Sequence, residues 1–156
     1  MNMHIRRATI EDLKAIQSLS EQLFEYEKQY TAEYDLAWSF SPAGQKFFTK
    51  RLKGRAHVIL VAETEGKIVG YISLWIGKLS WRVANPIVEI ENLCVAPSLR
   101  GSGIGTALMR EVARIAKERR AKRLRVTALS QNDPALHFYR KHGYADVDII
   151  LEKDVL

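Results

Sequence analysis

The chain has 156 residues, 47% hydrophobic and 27% charged, and its 24 Lys and Arg outweigh 18 Asp and Glu for a net charge of +6. That suffices for one domain, residues 1–156, with a sizeable core, while a single cysteine, Cys94, excludes a disulfide framework and a thiolate metal cluster. No apolar run approaches the ~20 residues that cross a bilayer, and the start at Met1 lacks the apolar core of a signal peptide. The expectation is a cytoplasmic protein with no membrane partner.

Ile5 to Ala8 reads as a short strand, and Thr9 with Asp12 three residues on predicts a capping arrangement at a helix start. Leu13, Ile16, Leu19, Leu23, Tyr26 and Tyr30 recur at helical spacing, so this helix buries one stripe and runs to about Gln29. Ser41-Pro42 opens a second helix with Pro at its first position. Between the two lies an aromatic stretch, Tyr34 to Phe40, without a clear period.

His57 to Glu63 and Ile68 to Ile76 read as strands joined through Glu65-Gly66-Lys67, a hairpin. Ile87 to Val95 is the next strand, Gly103 to about Arg120 a long helix, and Leu124 to Leu129 a further strand. Pro134 to His142 predicts a helix ended by Gly143, with Tyr144 to Leu151 as the last strand. Hairpins followed by a strand–helix–strand unit predict an α+β fold whose mixed sheet carries helices on both faces.

The most informative stretch is Leu93 to Thr106, where an apolar strand runs into Arg-Gly-Ser-Gly-Ile-Gly and then into a helix. Glycines leave backbone N–H groups uncovered, and a helix beginning there adds the positive end of its dipole. The ligand this pattern predicts is an anion such as a pyrophosphate. A plain tight turn is the alternative reading. A dinucleotide-binding strand–helix unit would need Gly-x-Gly-x-x-Gly after the first strand, and the spacing here is Gly-x-Gly-x-Gly late in the chain.

Arg100, Gly103 and Gly105, followed about 30 residues later by Asn132, Ala135, Phe138, Tyr139 and Gly143, resemble the two signature blocks of the Gcn5-related N-acetyltransferase superfamily. The resemblance spans roughly Ile5 to Leu151. It implies a single-domain acyl-CoA N-acyltransferase fold, a twisted mixed sheet of about six to seven strands in which Val88 to Val95 and Leu124 to Leu129 splay apart. It also implies acetyl-CoA as cosubstrate, with no metal. On that template the backbone of Leu93, Cys94 and Val95 pairs with the pantetheine arm. Arg100, Gly101, Ser102, Gly103, Ile104, Gly105 and Thr106 surround the pyrophosphate, and Asn132 and Ala135 lie along the coenzyme. Relatives often dimerise, so a homodimer is an expectation that rests on the resemblance alone.

Acetyl transfer to an amine needs a free lone pair, yet an alkyl ammonium with a pKa of about 10.4 is neutral in only about one molecule per thousand at pH 7. Glu91, on the strand beside the splay, is the candidate base, directly or through one water, with Glu89 on the same face in reserve. Both carboxylates could instead attract a cationic substrate or pair with arginines. Tyr139 matches the family tyrosine that protonates the departing thiolate.

The acceptor is expected to be a small cationic amine. Tyr26-Glu27, Glu91 and the run from Asn132 to Gly143 resemble those of diamine and polyamine acetyltransferases, with Tyr26, Glu27 and Glu89 as substrate-side groups. Protein N-termini or lysines are the rival acceptors. A non-catalytic module that holds coenzyme A or nucleic acid is the rival from another class. Eight basic residues between Arg110 and Arg125 suit a solvated helix face, and without interleaved aromatics nucleic acid is not an expected partner.

Overall fold

The computed structural model describes residues 2–155. Five strands form one sheet in the order β1 (Met3–Arg7), β2 (His57–Thr64), β3 (Lys67–Gly77), β4 (Ile87–Val95) and β5 (Arg123–Val126). The first four run antiparallel to their neighbours, and β5 lies parallel to β4. Four helices complete the fold: α1 (Leu13–Glu27), α2 (Pro42–Lys53), α3 (Ile104–Glu118) and α4 (Asp133–Lys141).

Local chemistry accounts for the joints. Glu65 and Gly66 both take positive φ, 51° and 75°, which gives the β2–β3 hairpin the turn handedness that matches strand twist. Ser41 accepts the Gly44 N–H at 3.2 Å and Pro42 follows it, so α2 starts as its sequence requires. The Thr9 N–H donates to Asp12 at 2.8 Å, and Arg6 clamps the same carboxylate at 2.8 and 2.9 Å. That guanidinium, more than anything else near it, holds the Asp12 carboxyl below the usual range.

Alternation along β2 divides the core between the two faces of the sheet. Val58 and Leu60 join Ile72, Leu74, Val88 and Ile90 beneath α3, which contributes Ile104, Leu108, Val112 and Ile115. Ile59 and Val61 point the other way and pack with Tyr71, Cys94, Ile16, Leu19 and Phe48 under α1 and α2. The expected mixed sheet with helices on both faces is the one observed.

Two features of β4 build the site. Its parallel ladder with β5 runs from Ile87↔Arg123 to Ile90↔Val126 and stops, so Glu91 to Val95 have no neighbour on that edge. This is the expected splay. On the other edge Leu74 opposes Ile90 and Ser73 opposes Asn92, which leaves Glu91 as the extra residue of a bulge. A bulge re-aims a side chain and sharpens the twist, and here it does so where the two strands diverge.

Several boundaries differ from expectation. α1 ends at Glu27, not Gln29, and β5 ends at Val126, not Leu129. The larger correction concerns Tyr144 to Leu151, expected as the last strand. That segment pairs with no strand, so the sheet has five strands among the described residues, not six to seven. Alternating apolar residues favour extended backbone, but a strand also needs an edge to bond to, and this segment is not seated on one. No helix among the described residues is long and apolar enough to cross a membrane.

Candidate active site

The glycine turn is open backbone. Gly101 and Gly103 take φ of 77° and 90°, and a Cβ added at either would meet nothing within 4 Å, so the left-handed conformation, not crowding, is what requires glycine there. Gly103 sits immediately before α3 and has no side chain to cap it. The first amides of the helix, on Ile104, Gly105 and Thr106, have no carbonyl four residues back within it and face the positive end of a 15-residue helix. Gly105 serves differently. A Cβ there would come within 3.3 Å of the Phe138 ring, so its absence lets α4 close on α3. Ile104 is fully buried and anchors the turn in the core, and the Ser102 hydroxyl donates to the Leu99 carbonyl.

Beside this turn, Leu93, Cys94 and Val95 pair with β3 on one edge only. The Cys94 thiol is turned inward and donates to the Leu19 carbonyl at 3.1 Å, and burial pushes its pKa up to about 12. It cannot supply a thiolate nucleophile near neutral pH. Asn132 is buried, and its Oδ1 accepts the Ala135 N–H at 3.2 Å, capping α4. Arg100 extends away from the glycines. Its Nε donates to the Val95 carbonyl at 3.4 Å and its guanidinium lies 4.2 Å above the Tyr26 ring, whose hydroxyl meets that of Tyr30 at 3.3 Å.

The three candidate carboxylates have different surroundings. Glu91 is held by Arg51 of α2 through Nε at 3.0 Å and a terminal nitrogen at 2.8 Å, with the Ser73 hydroxyl donating at 3.1 Å. Both members of that ion pair are mostly buried. Glu89 pairs with Arg125 of β5 at 3.4 Å. Glu27, at the C-terminal end of α1, is half-buried; its backbone carbonyl accepts the Tyr30 and Thr31 N–H groups, while its carboxylate has no hydrogen-bond or ion-pair partner among the described residues. Burial raises its carboxyl above the ordinary range, although the nearby Arg100 charge opposes this.

Tyr139 lies on α4, its ring 5.4 Å from Phe138 and 5.7 Å from Tyr144. Burial drives its phenol well above the usual value, with Tyr144 and then Glu27 adding to the shift. It therefore carries its proton throughout the physiological range, as a proton donor must. Glu27 has the same effect on Tyr34, after burial. An open depression next to it is lined by Phe24, Glu33, Tyr34, Asp35 and Trp38.

The structure thus brings Tyr26, Glu27, Arg100 and the end of β4 together, with Tyr139 within electrostatic reach of Glu27. It gives Glu91 and Glu89 arginine partners instead. Sequence reading missed Arg51 and Ser73. Nothing in the sequence links Arg51 to a carboxylate 40 residues away, whereas Ser73 could have been suspected as the polar residue in an otherwise apolar strand.

Residues 14–144 match the Acetyltransferase (GNAT) family. A streptothricin acetyltransferase from Streptomyces lavendulae is 38% identical over 81 residues, 52% of this chain and 40% of that protein. Further relatives are named for thialysine and for glucosamine 6-phosphate, so the relatives are diverse N-acetyltransferases and a particular likeness to polyamine enzymes is not among the findings. The chain spans 40, 50 and 60% of the length of the first three curated relatives it matches. Among solved structures, a mutant of the BH1408 protein from Bacillus halodurans superposes with a TM-score of 0.85 at 23% identity, over 98% of this chain and 99% of that one. AAC(6')-Iy, bound to the bisubstrate analogue CoA-S-monomethyl-acetylneamine, superposes with a TM-score of 0.78 at 17% identity, over 100% and 99%. At these identities the likeness is one of fold. With its glycine turn, splayed β4–β5 pair and matched residues 14–144, the chain belongs to the acetyltransferase (GNAT) family.

Proposed function

We propose that the protein transfers an acetyl group from acetyl-CoA to the primary amine of a small cationic acceptor, by direct attack within a ternary complex. The observation that carries this reading is the adjacency of an uncapped helix start to a strand edge with no neighbour, the two features a diphosphate and a pantetheine arm require. The residues fit the cosubstrate. Gly101 and Gly103 present open backbone to phosphate oxygens, with Ser102, Ile104, Gly105 and Thr106 completing the turn. The free edge of Leu93, Cys94 and Val95 offers amides to the pantetheine arm and one N–H to polarise the thioester carbonyl. Ala135 and the remaining polar atoms of Asn132 flank the arm.

Tyr139 protonates the departing thiolate. Its phenol is shielded, keeps its proton and hydrogen-bonds to no described residue, so the proton is free to be given. Glu91, the expected base, has its oxygens engaged by Arg51 and Ser73, and it reaches the amine only through a water or after the Arg51 clamp opens. Glu27 has no such partner, and its raised carboxyl makes it the stronger base. In this reading the ammonium proton passes to Glu27, while Glu91 with Arg51 and Glu89 with Arg125 wall the acceptor side.

The cationic acceptor follows from the lining. Phe24, Tyr34 and Trp38 line the depression with aromatic rings that pack on one another, and Glu33 and Asp35 on the same lining supply negative charge, an arrangement suited to an ammonium-bearing chain. Diamines and polyamines are the first acceptors to test, then aminoglycosides, and protein N-termini or lysines are the second reading. A thiol-release screen with acetyl-CoA against these classes tests the proposal. Turnover with a diamine or aminoglycoside supports it. Turnover with peptides alone replaces the acceptor, and absence of turnover together with undetectable coenzyme binding by calorimetry removes the whole assignment.

A further inference from the structure

Positive charge without a carboxylate partner collects at one end of the sheet. Arg7 closes β1, Arg55 precedes β2, Lys78 follows β3, and Lys122 and Arg123 lead into β5, all of them exposed. Backbone bonds hold these positions on one surface. The Ile76 N–H donates to the Ala56 carbonyl at 2.8 Å, the Lys122 N–H donates to the Pro86 carbonyl at 2.7 Å, and Arg7 reaches the His57 carbonyl at 3.3 Å. The tail of α3 joins them, with Arg119 sharing a groove with Arg7 and Val58. Carboxylates on the adjoining elements are already taken: Glu89 by Arg125, Glu91 by Arg51 and Glu118 by Arg114, and none of the basic residues just named forms an ion pair among the described residues. The surface is remote from the glycine turn, because the 15 residues of α3 set its head and tail about 22 Å apart. A diphosphate at the head of α3 does not reach it.

Two further observations go beyond a solvated helix end. Complementing the helix dipoles accounts for Lys50 and Lys53 in the last turn of α2 and for Lys117 in that of α3, but not for the residues at the strand ends. Arg120 takes φ 53° just after α3, a position where glycine is the usual occupant, so a guanidinium is kept there against the backbone preference. The second observation is Trp81, 77% exposed on the loop between β3 and β4 and flanked by Lys78 and Arg82. That loop is held in shape by Asn85, whose side chain accepts the Leu79 N–H and donates to the Leu79 carbonyl, both at 3.0 Å, and donates also to the Arg82 carbonyl. In the sequence Trp81 stands far from the basic run of α3 and β5. The fold sets it beside them, since the loop ends at Pro86, which bonds to Lys122.

We infer that this basic end of the sheet binds single-stranded nucleic acid, with the Arg and Lys side chains on successive phosphates and one base stacked on Trp81. Rows of cations track a phosphate backbone, and an exposed indole on a fixed loop is a stacking platform that takes any base. A duplex covers its base faces, so it uses the cations but not Trp81. A membrane surface needs an apolar stripe along an amphipathic helix, whereas this loop exposes two apolar side chains, Trp81 and Val83. The absence of interleaved aromatics, which set nucleic acid aside on the sequence, holds along the chain and not across the surface. The inference is independent of acetyl transfer and is read without catalysis.

Fluorescence anisotropy of a labelled oligouridine of about 12 nucleotides, titrated with the full chain, tests it. Wild type binds, and affinity falls about 100-fold between about 50 and 200 mM salt, the slope expected when about five phosphates of a single strand are neutralised. Trp81→Ala binds about 10-fold more weakly with the same salt slope, because it removes stacking and no charge. Lys122→Glu combined with Arg123→Glu weakens binding by at least about 100-fold, with an unchanged circular dichroism spectrum because both side chains are exposed. Arg120→Gly makes the slope shallower by about 0.7 and raises Tm, a pairing that a merely structural arginine would not produce. Competition locates the site: excess coenzyme A leaves the oligouridine bound. No binding at 100 μM protein in 50 mM salt, undiminished affinity in Trp81→Ala, displacement by coenzyme A, or equally tight binding of a duplex, polyglutamate or phosphatidylglycerol vesicles overturns the inference.

Discussion

The proposed coenzyme side and the proposed acceptor side of this molecule are made of different material. The glycine turn and the free edge of β4 work through backbone: amides without carbonyls to meet them, at positions fixed by two positive φ angles and by the end of a ladder. The acceptor side works through side chains that meet from distant parts of the chain, Arg51 with Glu91 across 40 residues and Arg100 over Tyr26. A backbone device tolerates many neighbours and suits a ligand common to a family. A side-chain device changes with single substitutions, which fits relatives named for streptothricin, thialysine and glucosamine 6-phosphate.

The sharpest test of that division is Tyr139→Phe. It removes a proton and leaves the coenzyme's backbone contacts intact, so kcat falls by about 10²- to 10³-fold while calorimetry finds coenzyme affinity unchanged. Parallel loss of affinity would place Tyr139 among the binding groups instead.

Arg51→Met examines the acceptor wall. It strands a largely buried carboxylate and costs about 3 kcal/mol in urea unfolding, whereas Arg51→Met combined with Glu91→Gln recovers most of that loss. Additive losses in the double variant would mean that the two residues act separately.

Gly103→Glu tests the backbone side with a smaller effect. It forces a side chain into the left-handed region and adds a negative charge where phosphate is expected, lowering coenzyme affinity by about 30-fold. Acceptor preference should not change, and a variant that binds as wild type does would remove the turn from the coenzyme site.

The mildest change is Glu27→Gln. If Glu27 is the base as proposed, its deprotonated form is the active one, so wild-type kcat/KM rises with pH through its elevated carboxyl pKa, and the variant loses that limb and about 10-fold in rate. Stability moves the opposite way. A carboxyl raised by burial favours the folded state when protonated and loses that contribution as pH climbs, so Glu27→Gln should have the higher Tm at pH 7, a difference that disappears below about pH 4. Loss of the pH limb in Glu91→Gln but not in Glu27→Gln would return the base to β4.

Much of this was legible in the residues because it is local. The Glu65-Gly66 hairpin, the Ser41-Pro42 helix start, the alternating faces of β2 and the glycine turn each depend on a few neighbours in the chain. Tyr139 and Arg100 were found through motif spacing, yet the direction of Arg100, toward Tyr26 and not along the glycines, was not visible there. The bulge at Glu91 was also hidden, since register belongs to a pair of strands and not to either alone. The segment from Tyr144 to Leu151 carries a strand pattern that its own chain does not use.

By itself the sequence determined which segments are helix or extended, which faces are apolar, and that an open glycine turn lies at the head of α3, because hydrophobic period, glycine and capping act over a few residues. Tertiary structure alone decided which carboxylates are neutralised, where β4 and β5 part, and that the last apolar row is left uncovered. Those outcomes depend on which distant groups come within a few ångströms of one another, and electrostatic pairing and strand bonding are set by that distance.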